Sequence, residues 1–382
     1  MARECIHAEI DAPRFVKDSR RHASGLLGLL LCALLLGGEA PSAPLPPAPL
    51  VGFSYSPKIS TYLNRDPAAD LSTLLTKTNP DLVRLPVYWD LTEASPGTLD
   101  FTMTDQLIGV IADHNRTSVR PVRVILTIGA RNFLYPELHA PAWAGPREQP
   151  ELDLAQQGTD YRAYFDATLL RYRSSPLLYS WQIENEPFDY VVNETTGDDQ
   201  ITPEQMAWEI SEAHRLDPHH RAVTTTFDGW NVMVDWLQTN LAPVLEGLRG
   251  YPSGHPAVTL EAGDALGLDL YVDGPSTPFR FATVALRTSW KAEAIRYWSA
   301  VARSQGKEVW LTEMQAQPWA TDPGDFSTDD LLVSAKVYRN TPLQVVLLWG
   351  VETWLADPAW MQAATEAMGV LRTPSAAPAP PR

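Results

Sequence analysis

Trp181-Gln182-Ile183-Glu184-Asn185-Glu186-Pro187 is the stretch on which the reading of the chain turns. It closes an apolar run over 177–183 that reads as a buried strand, and Pro187 prevents the strand from pairing further. An acid at a strand's exit, just before a forced turn, points out of the sheet into whatever lies above it. A second run, Glu308-Val309-Trp310-Leu311-Thr312, delivers Glu313 in the same way. Two glutamates at the exits of two buried strands are a pair worth following.

Strand and helix patterns alternate outward from this stretch through the whole body. Strands are expected at 50–55, 81–87, 122–128, 177–183, 222–227, 265–272, 308–312 and 344–349. Helices are expected at 66–77, 104–114, 159–172, 202–216, within 232–248, and at 289–305, 327–338 and 358–368. Asp66-Pro67 and Thr202-Pro203 supply a cap and a first-turn proline. Eight strands alternating with eight helices over 50–372 predict a single-domain α/β fold, a (β/α)8 TIM barrel. A doubly wound open sheet is the competitor. It lacks support, because Gly52-Phe53-Ser54 in the first strand offers no phosphate cradle. Long loops follow the third, fourth, fifth and seventh strands; the longest, 133–158, carries Tyr135 and Trp143. On a barrel the strand-exit side carries function, so aromatic loops there suggest a cleft.

The flanks and the composition exclude several roles. Residues 1–43 form a leader in which an apolar run at 25–36 follows Arg20-Arg21; it is too short to span a bilayer and reads as a secretory signal. An extracytoplasmic destination follows. Residues 44–49 are a proline-rich linker, and the Pro/Ala-rich tail 373–382 is expected to be disordered. The leader holds five basic and five acidic groups, so the body carries the whole net charge of −16. Such a body repels phosphate backbones and anionic lipid, which excludes nucleic acid and membrane surfaces as partners. Cys5 and Cys32 both lie in the leader, so the body has no internal disulfide and no thiolate metal site. The histidines show no His-Glu-x-x-His pattern; neither metal nor cofactor is implied. Oligomeric state leaves no mark on the sequence. Thirteen Trp and thirteen Tyr are many for one domain, and aromatic faces stack on sugars.

Strands four and seven lie on opposite sides of a barrel mouth, so Glu186 and Glu313 would face each other across a bound sugar. Glycosidic cleavage needs one carboxylic acid to protonate the leaving oxygen and a second carboxylate to attack the anomeric carbon or activate water. Glu186 is then the acid/base and Glu313 the nucleophile, held ionised by Arg84.

Residues 181–187 on strand four, with Leu311-Thr312-Glu313 on strand seven, resemble clan A of the glycoside hydrolases, nearest to its cellulase-like family 5. The resemblance spans about residues 50–370. It implies a retaining, metal-independent O-glycosidase acting on a β-linked glucan, mannan or related poly- or oligosaccharide. It further implies that Arg84 contacts the nucleophile, that Tyr271 sits beside it, and that Trp349 forms the platform under the cleaved sugar. Asn185 would hydrogen-bond the sugar's 2-hydroxyl. Two positions depart from the family pattern. Asp269 stands where family 5 usually has the His of His-x-Tyr, and Gly129-Ala130-Arg131 stands where a strand-three His is often found. Asp269 and Trp354 join the substrate-binding candidates, and Trp319, Trp230 and Tyr88 are candidate subsite aromatics. Glu184 is expected to share the face of Glu186 in a polar layer beneath the site. Two other readings compete. A catalytically inactive barrel would bind carbohydrate without turnover, and the presence of both glutamates argues against it. An envelope transglycosylase would use the same residues with a sugar acceptor in place of water.

Overall fold

The computed structural model describes residues 48–144, 151–152, 159–188, 200–227, 254–273, 282–319 and 326–373. The expected leader, most of the linker, the helix expected within 232–248, Trp230, and the tail beyond Thr373 lie outside these residues.

Eight strands form a closed parallel barrel, each neighbouring the next in chain order and the last pairing with the first. They are β1 (Leu50–Ser54), β2 (Leu82–Pro86), β3 (Arg123–Ile128), β4 (Leu178–Ile183), β5 (Ala222–Phe227), β6 (Ala265–Leu270), β7 (Glu308–Gln315) and β8 (Val345–Trp349). A helix follows each strand: α1 (Pro67–Thr78), α2 (Thr102–Asn115), α3 (Thr159–Tyr172), α4 (Pro203–Leu216), α5 (Pro256–Ala262), α6 (Val284–Ser304), α7 (Thr328–Tyr338) and α8 (Pro358–Arg372). The expected barrel is therefore the observed one.

Local chemistry explains the element ends. Asp66 accepts the Ala69 N–H to start α1, Thr202 accepts the Gln205 N–H to start α4, and Ser327 and Asp330 close a capping box on α7. Several elements differ from expectation: α6 starts earlier, at Val284, and α8 runs on to Arg372. α5 begins at Pro256, a first-turn proline too close to β6 to suggest a full helix. β7 runs three residues past its expected end, and the reason is an irregularity that also positions Glu313.

Side chains sort into two layers. Val51, Phe53, Val83, Leu85, Val124, Leu126, Leu268, Leu311 and Leu348 face outward into the helices. A separate cluster of Leu82, Ile125, Val223, Ala265, Trp310, Val345 and Leu347 fills the lumen. The barrel is thus plugged with apolar side chains at its base, and polar groups enter it only higher up, at the strand exits.

Candidate active site

Glu313 reaches the mouth because β7 carries one residue more than its neighbours. Leu268 of β6 pairs with Leu311, yet Asp269 pairs with Glu313. On the other side Val346 of β8 pairs with Leu311, and Leu348 with Met314. The extra residue is a β-bulge at 312–313. Trp310 points into the lumen, while Leu311 and Met314 pack outward. Strict alternation would send Glu313 outward with Leu311. The bulge instead turns Thr312 and Glu313 inward together.

A polar web receives the carboxylate. Arg84, wholly buried in the middle of β2, donates from Nη2 to Glu313 Oε1 at 2.6 Å. The same guanidinium donates from Nε to Ser54 Oγ at 2.7 Å and from Nη1 to Gln182 Oε1 at 3.0 Å, and it lies over the Phe133 ring. All three of its nitrogens are therefore engaged, and its orientation is fixed by β1 and β4 as well as β7. Tyr271, just beyond β6, donates its hydroxyl to Glu313 Oε2 at 2.6 Å. Burial and the Glu313 charge hold its phenol far above the usual range, so it stays a donor.

Glu186 leaves β4 on a backbone that few residues adopt. Glu184 and Glu186 have φ of 56° and 48°, left-handed values that cost non-glycine residues about 1 kcal/mol or more each. The Glu186 N–H donates to Thr225 Oγ1 of β5 at 2.9 Å, which fixes the second of these turns. One carboxylate oxygen each of Glu186, Asp269 and Glu313 lie within 4.8 Å of one another. Inverting glycosidases separate their carboxyls by about 6.5–9.5 Å to admit a water, retaining ones by only about 5–5.5 Å. The gap here fits the second class.

The two left-handed residues on either side of Asn185 also break the expected sharing of a face. The Glu184 carboxylate turns away from the mouth, back onto the end of β3. It accepts the N–H groups of Ala130 at 2.9 Å and Arg131 at 2.5 Å, and the hydroxyl of Tyr161 on α3 at 3.1 Å. Gly129 lets it approach: a Cβ there would lie 2.3 Å from the Glu184 carboxyl carbon, and its φ of 132° already excludes most side chains. The Tyr161 oxygen also meets Glu209 of α4, which Gln205 holds at 2.6 Å; with its one proton given to Glu184, the phenol accepts from protonated Glu209.

Burial pushes the Glu184 carboxyl up to about 7, against the pull of the two N–H groups. Glu209 is raised well above its ordinary value by burial and by the Glu184 charge. Unfolded, both groups titrate near 4.5. Between 4.5 and about 7 the folded protein keeps protons that the unfolded chain has lost. Stability therefore falls as pH rises through that window, by ~1.4 kcal/mol per pH unit for each retained proton. Glu209→Gln imitates the protonated acid. Urea unfolding at pH 5 and pH 7 should show a smaller loss in this variant than in the wild type. An identical pH dependence in the two proteins would remove the pair as its source.

The other candidates separate clearly. Asn185 is brought to the site: its Oδ1 accepts from Gln182 at 3.0 Å and from Thr225 at 3.4 Å, and its Nδ2 donates to Glu137 at 3.3 Å. One Nδ2 proton remains for a ligand. Trp349 ends β8 half-buried at the rim, edge-on to Phe133. Trp319 is exposed and meets the edge of Tyr271 at 5.5 Å. Trp354 is not at the site: it is 1% exposed, packs on Phe53 and donates its indole N–H to Ala316 O. Tyr88 is likewise scaffold, buried with its hydroxyl on Ser56 and on the Phe133 carbonyl. Asp269 is wholly buried beneath the two glutamates, held by Thr312 at 2.6 Å.

Sequence reasoning missed Glu137. After β3 the chain makes a tight return in which Arg131 bridges Leu138 and the Asn132 N–H meets the Glu137 carbonyl. Glu137 thereby comes back beside Arg131, with which it forms an ion pair, and beside Glu186. Burial raises its carboxyl, and Arg131 opposes that shift. No periodicity marks such a residue in an irregular loop.

No family model and no curated protein matches the chain in sequence. In three dimensions it is similar to a GH5_18 protein from Streptomyces cattleya solved with GlcNAc, with a TM-score of 0.62 at 18% identity over 87% of this chain and 83% of that one. A variant of that protein was solved with Manβ1-4GlcNAc. A GH5_18 protein from Bifidobacterium longum subsp. longum ATCC 55813 matches with a TM-score of 0.59 at 14% identity, covering 87% of this chain and 81% of that one. A beta-galactosidase from Rahnella sp. R3 matches with 0.54 at 13% identity, covering 86% of this chain and 57% of that one. The fold is that of the clan A glycosidases.

Proposed function

We propose that the chain is a retaining β-glycoside hydrolase in which Glu186 is the acid/base and Glu313 the nucleophile. The observation that carries this reading is the approach of the two carboxylates to within 4.8 Å at the mouth, one of them held by Arg84 and Tyr271. In the first half-reaction Glu313 attacks the anomeric carbon while Glu186 gives its proton to the departing oxygen, leaving a glycosyl ester on Glu313. In the second, Glu186 takes a proton from water as the water attacks the same carbon and the ester bond breaks. Arg84 and Tyr271 keep the attacking carboxylate in one orientation throughout. The free Asn185 proton is placed for a sugar hydroxyl.

The substrate class is a short or polymeric β-linked glucan or mannan-type saccharide. Its support is the fold shared with proteins that bind GlcNAc and Manβ1-4GlcNAc. The leader at 1–43 would export the enzyme, in keeping with an extracellular saccharide.

The test pairs the wild type with Glu186→Gln on β-glucosides, β-mannosides and Manβ1-4GlcNAc. Without its acid the variant should lose roughly 10²–10⁴-fold on poor leaving groups. Formation of the glycosyl ester from 2,4-dinitrophenyl glycosides, which need no protonation, should change little. Loss that is equal for both classes, or a product released first as the α-anomer, would sink the assignment.

A further inference from the structure

Asp269 ends β6 with one oxygen satisfied and one not. Its Oδ1 accepts from Thr312 Oγ1 at 2.6 Å, whereas Oδ2 is buried and receives no donor. Every obvious donor nearby is committed. Arg84 on β2 spends its nitrogens on Ser54, Gln182 and Glu313, and Tyr271 spends its hydroxyl on Glu313. From β4, a Glu186 carboxylate oxygen lies within 4.8 Å of one of Asp269; from β7 come Thr312 and Glu313. From the loop after β3, Glu137 touches Glu186 while paired with Arg131. Four carboxyl groups thus meet two guanidiniums in a dry site. Two carboxylates accept but cannot donate, so an approach this close between Asp269 and Glu186 in a dry site favours one proton held between them.

We propose that Asp269 and Glu186 share one proton at the barrel mouth, making Asp269 the positioning residue that retains the acid proton on Glu186. Its part in turnover rests on the assignment of Glu186 as acid/base. The charges then balance through both half-reactions. Before attack, Glu313 is an anion and the pair carries one negative charge. After attack, Glu313 is a neutral ester, Glu186 has given its proton to the leaving oxygen, and the pair carries two. The mouth keeps the same net charge, and two adjoining carboxylates draw a proton back from the incoming water. Burial and the Glu313 charge, which raise the Asp269 carboxyl, act in the same sense.

The test needs no sugar. Carboxyl carbons of Glu and Asp are labelled with ¹³C and titrated by NMR in the wild type, Glu186→Gln, Asp269→Asn and Thr312→Val. The Glu186 signal is the one that Glu186→Gln removes. In Asp269→Asn the anionic acceptor is gone, so Glu186 should release its proton at least about one pH unit lower, the coupling expected of carboxyls in contact. Thr312→Val removes the donor that favours the Asp269 anion, so Asp269 holds its own proton and the Glu186 midpoint should move the same way. A Glu186 midpoint unchanged in Asp269→Asn overturns the proposal. Should that variant fail to fold, an unchanged midpoint in Thr312→Val does so instead. On the sugar that wild-type enzyme turns over, the alkaline limb of kcat/KM should fall by the same shift in Asp269→Asn. Coupling without turnover of any glycoside would leave the shared proton standing and remove the acid/base role. Turnover with no coupling would do the reverse.

Discussion

Replacing Glu313 by glutamine should abolish turnover by about four orders of magnitude or more, because an amide in place of the carboxylate held by Arg84 and Tyr271 cannot form the glycosyl ester. The variant should nevertheless fold. Glutamine keeps the shape and still accepts one of the two donors, Arg84 or Tyr271. The exposed problem is the charge of Arg84, wholly buried and left without its partner. Asp269 resolves it. After burial, the Glu313 charge is the next cause of its raised carboxyl, so removing that charge stabilises the anion that Asp269 holds in its pair with Glu186, near Arg84. Glu313→Ala offers a sharper readout. Azide can occupy the vacated face and attack the anomeric carbon, restoring turnover and yielding the α-glycosyl azide. Rescue that yields the β-azide, or undiminished hydrolysis by Glu313→Gln, would assign the nucleophile elsewhere.

Arg84→Met should be the most destabilising change at the mouth, costing about 3–5 kcal/mol in urea unfolding. Methionine fills much of the volume but withdraws donors from Ser54, Gln182 and Glu313 together. Glu313 is then left with Tyr271 alone. Unlike Glu313→Gln, this variant has no second cation among the described residues to compensate, since Arg131 is occupied by Glu137 and by the Asn185 carbonyl. Turnover should fall as well, by roughly 10²-fold or more, as the carboxylate loses its orientation. Arg84→Lys separates charge from geometry. It should recover much of the stability, yet it cannot span Ser54, Gln182 and Glu313 at once, so turnover should stay low. A denaturation midpoint unchanged in Arg84→Met would show the web to be dispensable.

The barrel was legible because its signals are repetitive: β-branched strands, capped helices and prolines at the turns recur through the body. The residues of the mouth carried by strands or their exits were legible for the same reason. Asn185, Glu186 and Tyr271 lie just past a strand exit, Arg84 and Glu313 within β2 and β7, and the structure brings them together. Trp354 misled because an aromatic shortly after β8 reads the same whether it faces the cleft or the core. Its short helix, Val351–Ala356, turns it inward onto Phe53. Glu184 misled because period-two alternation was carried past the strand, into residues whose positive φ ends it. Glu137 was invisible because only the Arg131–Leu138 bridge places it, and hairpin closure without a glycine turn leaves no pattern.

The one-residue surplus in β7 has a consequence for how such chains diverge. Flatten the bulge without shortening the chain, and every side chain after Thr312 changes phase: Glu313 would join the greasy layer under the helices while Met314 took its place above the lumen. The barrel could close just as well. Chemistry in this molecule therefore hangs on the backbone geometry at one point as much as on the identity of any side chain, and a change that straightens the strand there would turn the reactive group away.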